Sequence, residues 1–212
     1  YNANLPQYNY DPDMAAELLN NGNYLDTDGD GIRNDPATGD NLVFELIAPS
    51  TSIDAIKTST LIKEQLVDIG ISIDAKTIDF GTYQQYIYTP KEGLYELAIT
   101  GEEPGPVAEW VWEFARSYEA GGAGWNTAYY NNAHFDELLD KMTAERDLAK
   151  RIEYAGEMQM ILAEDLPYAF LCRLDVIDAV SDRFEGWVQS MGGVSSWINQ
   201  WTFSEVHLKK QG

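Results

Sequence analysis

Between residues 42 and 100 the apolar pattern changes period repeatedly, and this switching constrains the fold more than any other feature of the chain. Residues 42–48 form an apolar run suited to a buried strand, whereas Ile62, Leu66 and Ile69 keep helical spacing up to Gly70, the expected left-handed cap. Ile71, Ile73 and Ala75 then alternate as a strand, residues 80–88 read as a short aromatic helix or turn, and residues 94–100 read as a third strand. Strand, helix, strand, helix, strand is the order that buries a largely parallel or mixed sheet beneath helices. The expectation is therefore an α/β architecture in which ligands meet the loops at the strand ends.

The flanking segments are mostly helical. Asp11 and Pro12 open a helix carrying Met14, Leu18 and Leu19, because Asp caps the first turn and Pro loses no hydrogen bond at the first position; Gly22 stops it. Phe135, Leu138, Leu139 and Met142 mark one amphipathic helix, and Leu148, Ile152, Ala155, Met158 and Leu162 mark a second. The short connection between them makes them packing neighbours. Residues 168–174 and 176–180 read as β-rich, and residues 184–203 as an aromatic, Gly-bearing tail. With no internal repeat and no low-complexity linker, residues 1–212 are expected to form a single domain.

Charge narrows the partners. The chain carries 14 Lys and Arg against 35 Asp and Glu, a formal net charge of -21. Binding to nucleic acid or to an anionic membrane depends on clustered basic side chains, so neither fits. No apolar run approaches the roughly 20 residues that span a bilayer, and residues 1–7 carry no secretion signal. The single cysteine, Cys172, excludes an internal disulfide; lying in an apolar run, it is expected to be a buried structural thiol.

One acidic loop has the spacing of a cation site. Asp26, Asp28 and Asp30 alternate through a Gly-bearing turn, with the Ile32 carbonyl, Asn34 and Asp35 as further oxygen donors. Alternate carboxylates in a tight turn converge on one point, which suits a hard ion such as calcium in a structural role. The twelfth position of this loop is Ala37 rather than Glu, and no second helix follows, so it departs from an EF-hand. Its alternative is an Asx-rich turn whose carboxylates cap their own backbone amides.

Catalytic signatures are scarce. The two histidines, His134 and His207, lie outside any metal-binding spacing, and neither a nucleophile elbow nor a phosphate loop occurs. Glu102 and Glu103 are adjacent, a poor arrangement for straddling a glycosidic bond, but a carboxylate at a strand end suits a ligand's ammonium or hydroxyl. Trp110 and Trp112 are candidates for core packing, with Trp110 also a candidate ligand contact. Trp125, presented by a glycine-rich stretch, and Tyr83 in the aromatic segment complete the candidate ligand-binding set. No cofactor is required by this inventory, and the chain reads as a binding module rather than an enzyme.

The order of segments resembles a known family. Tyr10-Asp11-Pro12-Asp13-Met14-Ala15-Ala16-Glu17-Leu18-Leu19, leading to the acidic turn, is similar to the opening of the C-terminal lobe of family 5 extracellular solute-binding proteins. Gly70-Ile71-Ser72-Ile73, then Tyr129-Tyr130-Asn131-Asn132 running into Phe135-Asp136-Glu137-Leu138-Leu139, the stretch from Ala149-Lys150-Arg151 to Ala163-Glu164-Asp165-Leu166-Pro167, and Phe184-Glu185-Gly186-Trp187 extend the likeness over nearly the whole chain. The resemblance implies one lobe of a type II periplasmic-binding-protein-like fold, a mixed sheet flanked by helices, with the ligand held against a missing N-terminal lobe of the same chain by hinge closure. Residues 194–212 are then expected to return toward that lobe.

It further implies a monomeric, extracytoplasmic, lipid-anchored receptor delivering peptides to the membrane permease of an ABC importer. Glu102 keeps an acidic feature after the third strand that such relatives use for a terminal amine. The usual Asp-Pro-Asp-Asn-like loop is replaced by Pro104-Gly105-Pro106, and the many tryptophans equally suit an oligosaccharide. Readings from other classes are a calcium-stabilised glycan hydrolase and a surface adhesion module held by calcium.

Overall fold

The computed structural model describes residues 4–88, 95–101, 112, 114–117, 125–172, 177–188 and 200–209. Helix α1 (Pro12–Asn21) begins where the sequence places it: the Asp11 side chain accepts from the Met14 amide, Pro12 opens the first turn and Gly22 ends the helix. Strand β1 (Val43–Pro49) is followed by α2 (Ile53–Val67), which is capped by the Ser52 hydroxyl. Strand β2 (Ser72–Ile78) leads into α3 (Phe80–Tyr88), and β3 (Leu97–Ala98) follows. The expected alternation is therefore present, with the third strand paired over two residues rather than seven.

Strand order is β2-β1-β3 with both pairings parallel; Val43 lies opposite Ser72, Pro49 opposite Ile78, and Ile47 opposite Ala98. Parallel neighbours need crossover connections, and α2 and α3 supply them, covering the sheet they connect. Ile47 at the centre is fully buried against Tyr83 and Ile87 of α3, with Ile78, Tyr95 and Ala98 packed around them. Gly70 makes the turn from α2 into β2. Its φ of +83° is left-handed, and a Cβ there would come within 2.9 Å of the Arg33 side chain.

A second core lies between α4 (Ala133–Ala144) and α5 (Leu148–Asp165). Phe135, Leu138, Leu139 and Met142 are all buried, as their spacing predicts, and they pack with Met158, Trp112 and Ala115. The expected face of α5 is only partly right. Ala155, Met158 and Leu162 pack inward together with Tyr154 and Ile161, whereas Leu148 and Ile152 are exposed. The i, i+3, i+4 pattern identifies the stripe, but α4 covers only its C-terminal stretch.

The remaining described elements are β4 (Phe184–Glu185), α6 (Gln200–Glu205) and β5 (His207–Leu208), the two strands pairing antiparallel with Phe184 opposite Leu208. Parallel and antiparallel pairing thus both occur. Two expectations need correction. Residues 168–172 and 177–180 carry no strand, and the apolar Phe170 and Ile177 are 87% and 91% exposed. Cys172 is exposed rather than buried, because the segment that holds it has no partner strand to cover it among the described residues.

Candidate functional site

Because the three strands run parallel, their carboxyl ends share one edge, where Pro49, Ile78 and Ala98 terminate β1, β2 and β3. In open parallel sheets this edge is where ligands gather. Glu102, Glu103 and Trp110 follow β3 in sequence and lie outside the described residues. Of the candidate contacts, the described ones are Trp125 and Tyr83, and the structure gives them different roles.

Tyr83 is buried. Its ring packs on Ile47, and its hydroxyl donates to the Ile99 carbonyl at 2.7 Å, bracing the segment just after β3 instead of facing solvent. Trp125 is 40% exposed, with its indole edge-on to Tyr88 at the end of α3 and to Phe114, centroids 5.6 and 6.1 Å apart. Tyr129 is 44% exposed and lies beside Tyr95 at 6.5 Å. Sequence reasoning did not select Tyr129 as a contact. It occurs in a helix-entry motif, and its left-handed φ of +52° cannot be read from composition.

The backbone beside these rings is tied at several points. The Asn126 carboxamide donates to the Arg116 and Tyr130 carbonyls at 2.8 and 2.7 Å and accepts from the Tyr130 amide at 3.1 Å. The Tyr95 hydroxyl donates to the Thr127 carbonyl, and the Tyr168 hydroxyl accepts from Ala128 while donating to the Phe114 carbonyl. Burial, followed by the neighbouring Tyr129, Tyr168 and Tyr83, raises the Tyr95 phenol above its ordinary range, so it is a fixed donor near neutral pH. Tyr130 donates to Asp165, and the phenol is raised first by burial and then by that carboxylate. Asn132, the cap of α4, donates to the same Asp165 oxygen.

The acidic loop is assembled differently from the expected six-donor site. Oxygens of Asp26, Asp28 and Asp30 lie within 4.8 Å of one another, so these three do converge. Asn34 does not join them. It is 4% exposed, its Oδ1 accepts from the Thr27 amide and hydroxyl, and its Nδ2 donates to Gly39 and Asn41. Asp35 caps its own turn by accepting from Ala37.

The converging carboxylates are also occupied by protein donors. Asp26 accepts from the Gly29 and Gly31 amides, and Asp30 from the Ile32 amide and the Asn41 carboxamide. The Gly29 amide is the largest cause of the lowered Asp26 pKa, which makes this a turn stabilised by the ionised form. That contribution is complete above the ordinary carboxylate pKa of 3.8 and fades as pH falls through the lowered value. Arg33 anchors the loop, donating to the Ile69 and Tyr24 carbonyls and to the Asn20 side chain. The loop thus combines the amide bonds of an Asx-rich turn with three carboxylates close enough to share a cation.

Comparison with known proteins fits this architecture. By sequence, the chain is 24% identical over 86% of its length to the oligopeptide-binding protein AppA of Bacillus subtilis, and 23% identical over 91% to heme-binding protein A of Haemophilus influenzae. It spans about a third of the length of each of these curated relatives. Among solved structures, AppA in complex with a nonapeptide superposes with a TM-score of 0.75 at 19% identity, covering 98% of this chain and 39% of that one. A mannohexaose-bound periplasmic oligopeptide-binding protein of Thermotoga maritima gives 0.78 at 23%, covering 96% and 40%. These likenesses establish the fold as that of a piece of a periplasmic binding protein, and no described helix is long and apolar enough to cross a membrane. Residues 1–122 match the middle region of the bacterial extracellular solute-binding proteins of family 5, and the chain belongs to that family.

Proposed function

We infer that this chain is one lobe of a non-catalytic, extracytoplasmic receptor that captures peptides and delivers them to the permease of an ABC importer. The carrying observation is the half-exposed Trp125 and Tyr129, braced against Tyr88 and Tyr95 in a family of solute-binding proteins. Aromatic faces with a few fixed polar groups are what a small-molecule site needs. Glu102 and Glu103, which follow β3 in sequence, fit a peptide's terminal ammonium, and Trp110 adds a further aromatic contact. The second lobe, supplied by the rest of a monomeric and lipid-anchored receptor, closes over the ligand by a hinge.

Calorimetric titration of the full-length receptor against peptides of graded length, mannohexaose and haem tests this reading. Saturable peptide binding that Glu102→Ala abolishes supports it; haem binding alone, or no binding of any probe, overturns it. An oligosaccharide receptor is the second reading, favoured by the exposed indole of Trp125 and by the mannohexaose-bound relative. It predicts sugar binding that survives Glu102→Ala and is lost in Trp125→Ala.

A further inference from the structure

We propose that Asn126 is a positioning residue whose carboxamide holds the 125–130 segment in a pre-formed loop, so that Trp125 and Tyr129 stand ready for ligand before it arrives. The proposal rests on the receptor reading for the role of the two rings, but its first observation is independent of it. Asn126 is 9% exposed, and all three of its side-chain hydrogen bonds go to backbone atoms. Two of them, in opposite directions, go to Tyr130, four residues on, and this closes the intervening backbone into a ring.

Tyr129 sits inside that ring with φ +52°, a conformation a bulky aromatic side chain adopts only when its surroundings impose it. The third bond, to the Arg116 carbonyl, ties the ring to the stretch whose neighbour Ser117 receives the Asn132 amide and donates its own amide to Asp136 of α4. The loop is thereby fixed to the helical core, while the Thr127 carbonyl, reached by Tyr95, fixes it to the β3 side. A ligand meeting such a platform orders no loop as it binds, which is how preorganisation raises affinity.

The test replaces tryptophan by 5-fluorotryptophan in the full-length receptor and identifies the Trp125 fluorine resonance from its loss in Trp125→Phe. Asn126→Asp keeps the acceptor for the Tyr130 amide but removes both donations; Asn126→Ala removes all three bonds. Both are expected to shift or broaden the Trp125 resonance without ligand and to weaken binding of a mixed-sequence nonapeptide at least 10-fold. Asp147→Ala, which removes the α5 cap, is expected to lower the melting temperature yet leave the resonance in place. If Asn126→Ala does not fold, Asn126→Asp decides.

An unmoved resonance in the Asn126 variants, or an equal movement in Asp147→Ala, overturns the proposal. So does a moved resonance with nonapeptide affinity unchanged. Should the unaltered receptor bind no nonapeptide, the receptor reading falls, while the ligand-free resonance still decides whether Asn126 positions Trp125.

Discussion

Replacing Asn34 by Ala separates a cation ligand from a structural hub, because the two roles predict different responses to calcium. The side chain makes four hydrogen bonds: it accepts from the Thr27 amide at 2.8 Å and hydroxyl at 2.7 Å, and donates to Gly39 at 3.3 Å and Asn41 at 2.7 Å. It also joins two short bridges, since the Asn34 backbone pairs with both Leu25 and Asn41. Thr27 and Gly39 are exposed, so water replaces part of what they lose, and the cost per bond sits near the lower half of the usual net range.

Four bonds at about 0.5–0.8 kcal/mol each give roughly 2–3 kcal/mol. For a chain of this size that is a fall in melting temperature of about 4–12 °C, at about 2–4 °C per kcal/mol. The assay is thermal unfolding followed by circular dichroism, once with excess chelator and once with millimolar calcium. The hub reading expects the same fall in both. A fall under 2 °C in both would refute the packing argument, and a fall that appears only with calcium would make Asn34 a cation ligand after all.

Three further outcomes follow from the packing and the hydrogen bonds. Phe135→Ala empties a fully buried site between Trp112 and Tyr130 and is expected to cost about 3–5 kcal/mol, whereas Leu148→Ala, 70% exposed, should stay within about 0.5 kcal/mol; chemical denaturation measures both. Gly186→Ala forces a Cβ into the Glu205 carbonyl at a left-handed φ of +86° and should destabilise the β4–β5 ribbon by at least about 2 kcal/mol, seen as loss of amide protection at Lys209, whose N–H donates to the Arg183 carbonyl across the ribbon. The His207 pKa is raised above 6.5, first by the Glu205 carbonyl and then by Glu185 across the ribbon, so protonation and ribbon formation reinforce each other. Their linkage is complete below pH 6.5 and is lost as pH rises through the raised value, and NMR titration of His207→Gln should lack that transition.

How much of this was legible in the chain depended on whether the signal was local. Caps and reversals were readable: Asp11 and Gly70 act within a few residues and occupy the positions their chemistry requires, while Gly22 ends α1 at an ordinary φ of -80° and the left-handed turn falls to Asn23. The parallel sheet followed from alternating periods, since residues 42–100 admit few other arrangements. Failures came where burial is decided by a distant partner. Leu148 and Ile152 carry the right spacing for a buried face, but α4 does not cover them. Residues 168–172 are as apolar as a strand yet lack a neighbour to pair with among the described residues, which also leaves Cys172 on the surface.

The candidate site shows the same division more sharply. Asp26, Asp28 and Asp30 converge as their spacing demands, because alternate positions in a tight turn point to one side. Asn34 and Asp35 belong to the same run of oxygen-bearing residues, and only the three-dimensional path shows their oxygens turned to Thr27 and Ala37 instead. Tyr83 and Trp125 carry the same expectation of ligand contact. One is buried with its hydroxyl on the Ile99 carbonyl, and the other stays half-exposed beside a loop that its neighbour Asn126 closes through the Tyr130 and Arg116 backbone. The path of the loop that carries these rings is therefore set less by the rings themselves than by buried amides such as Asn126. Sequence patterns built on hydrophobicity pass over residues of that kind, because their partners are backbone atoms common to every position.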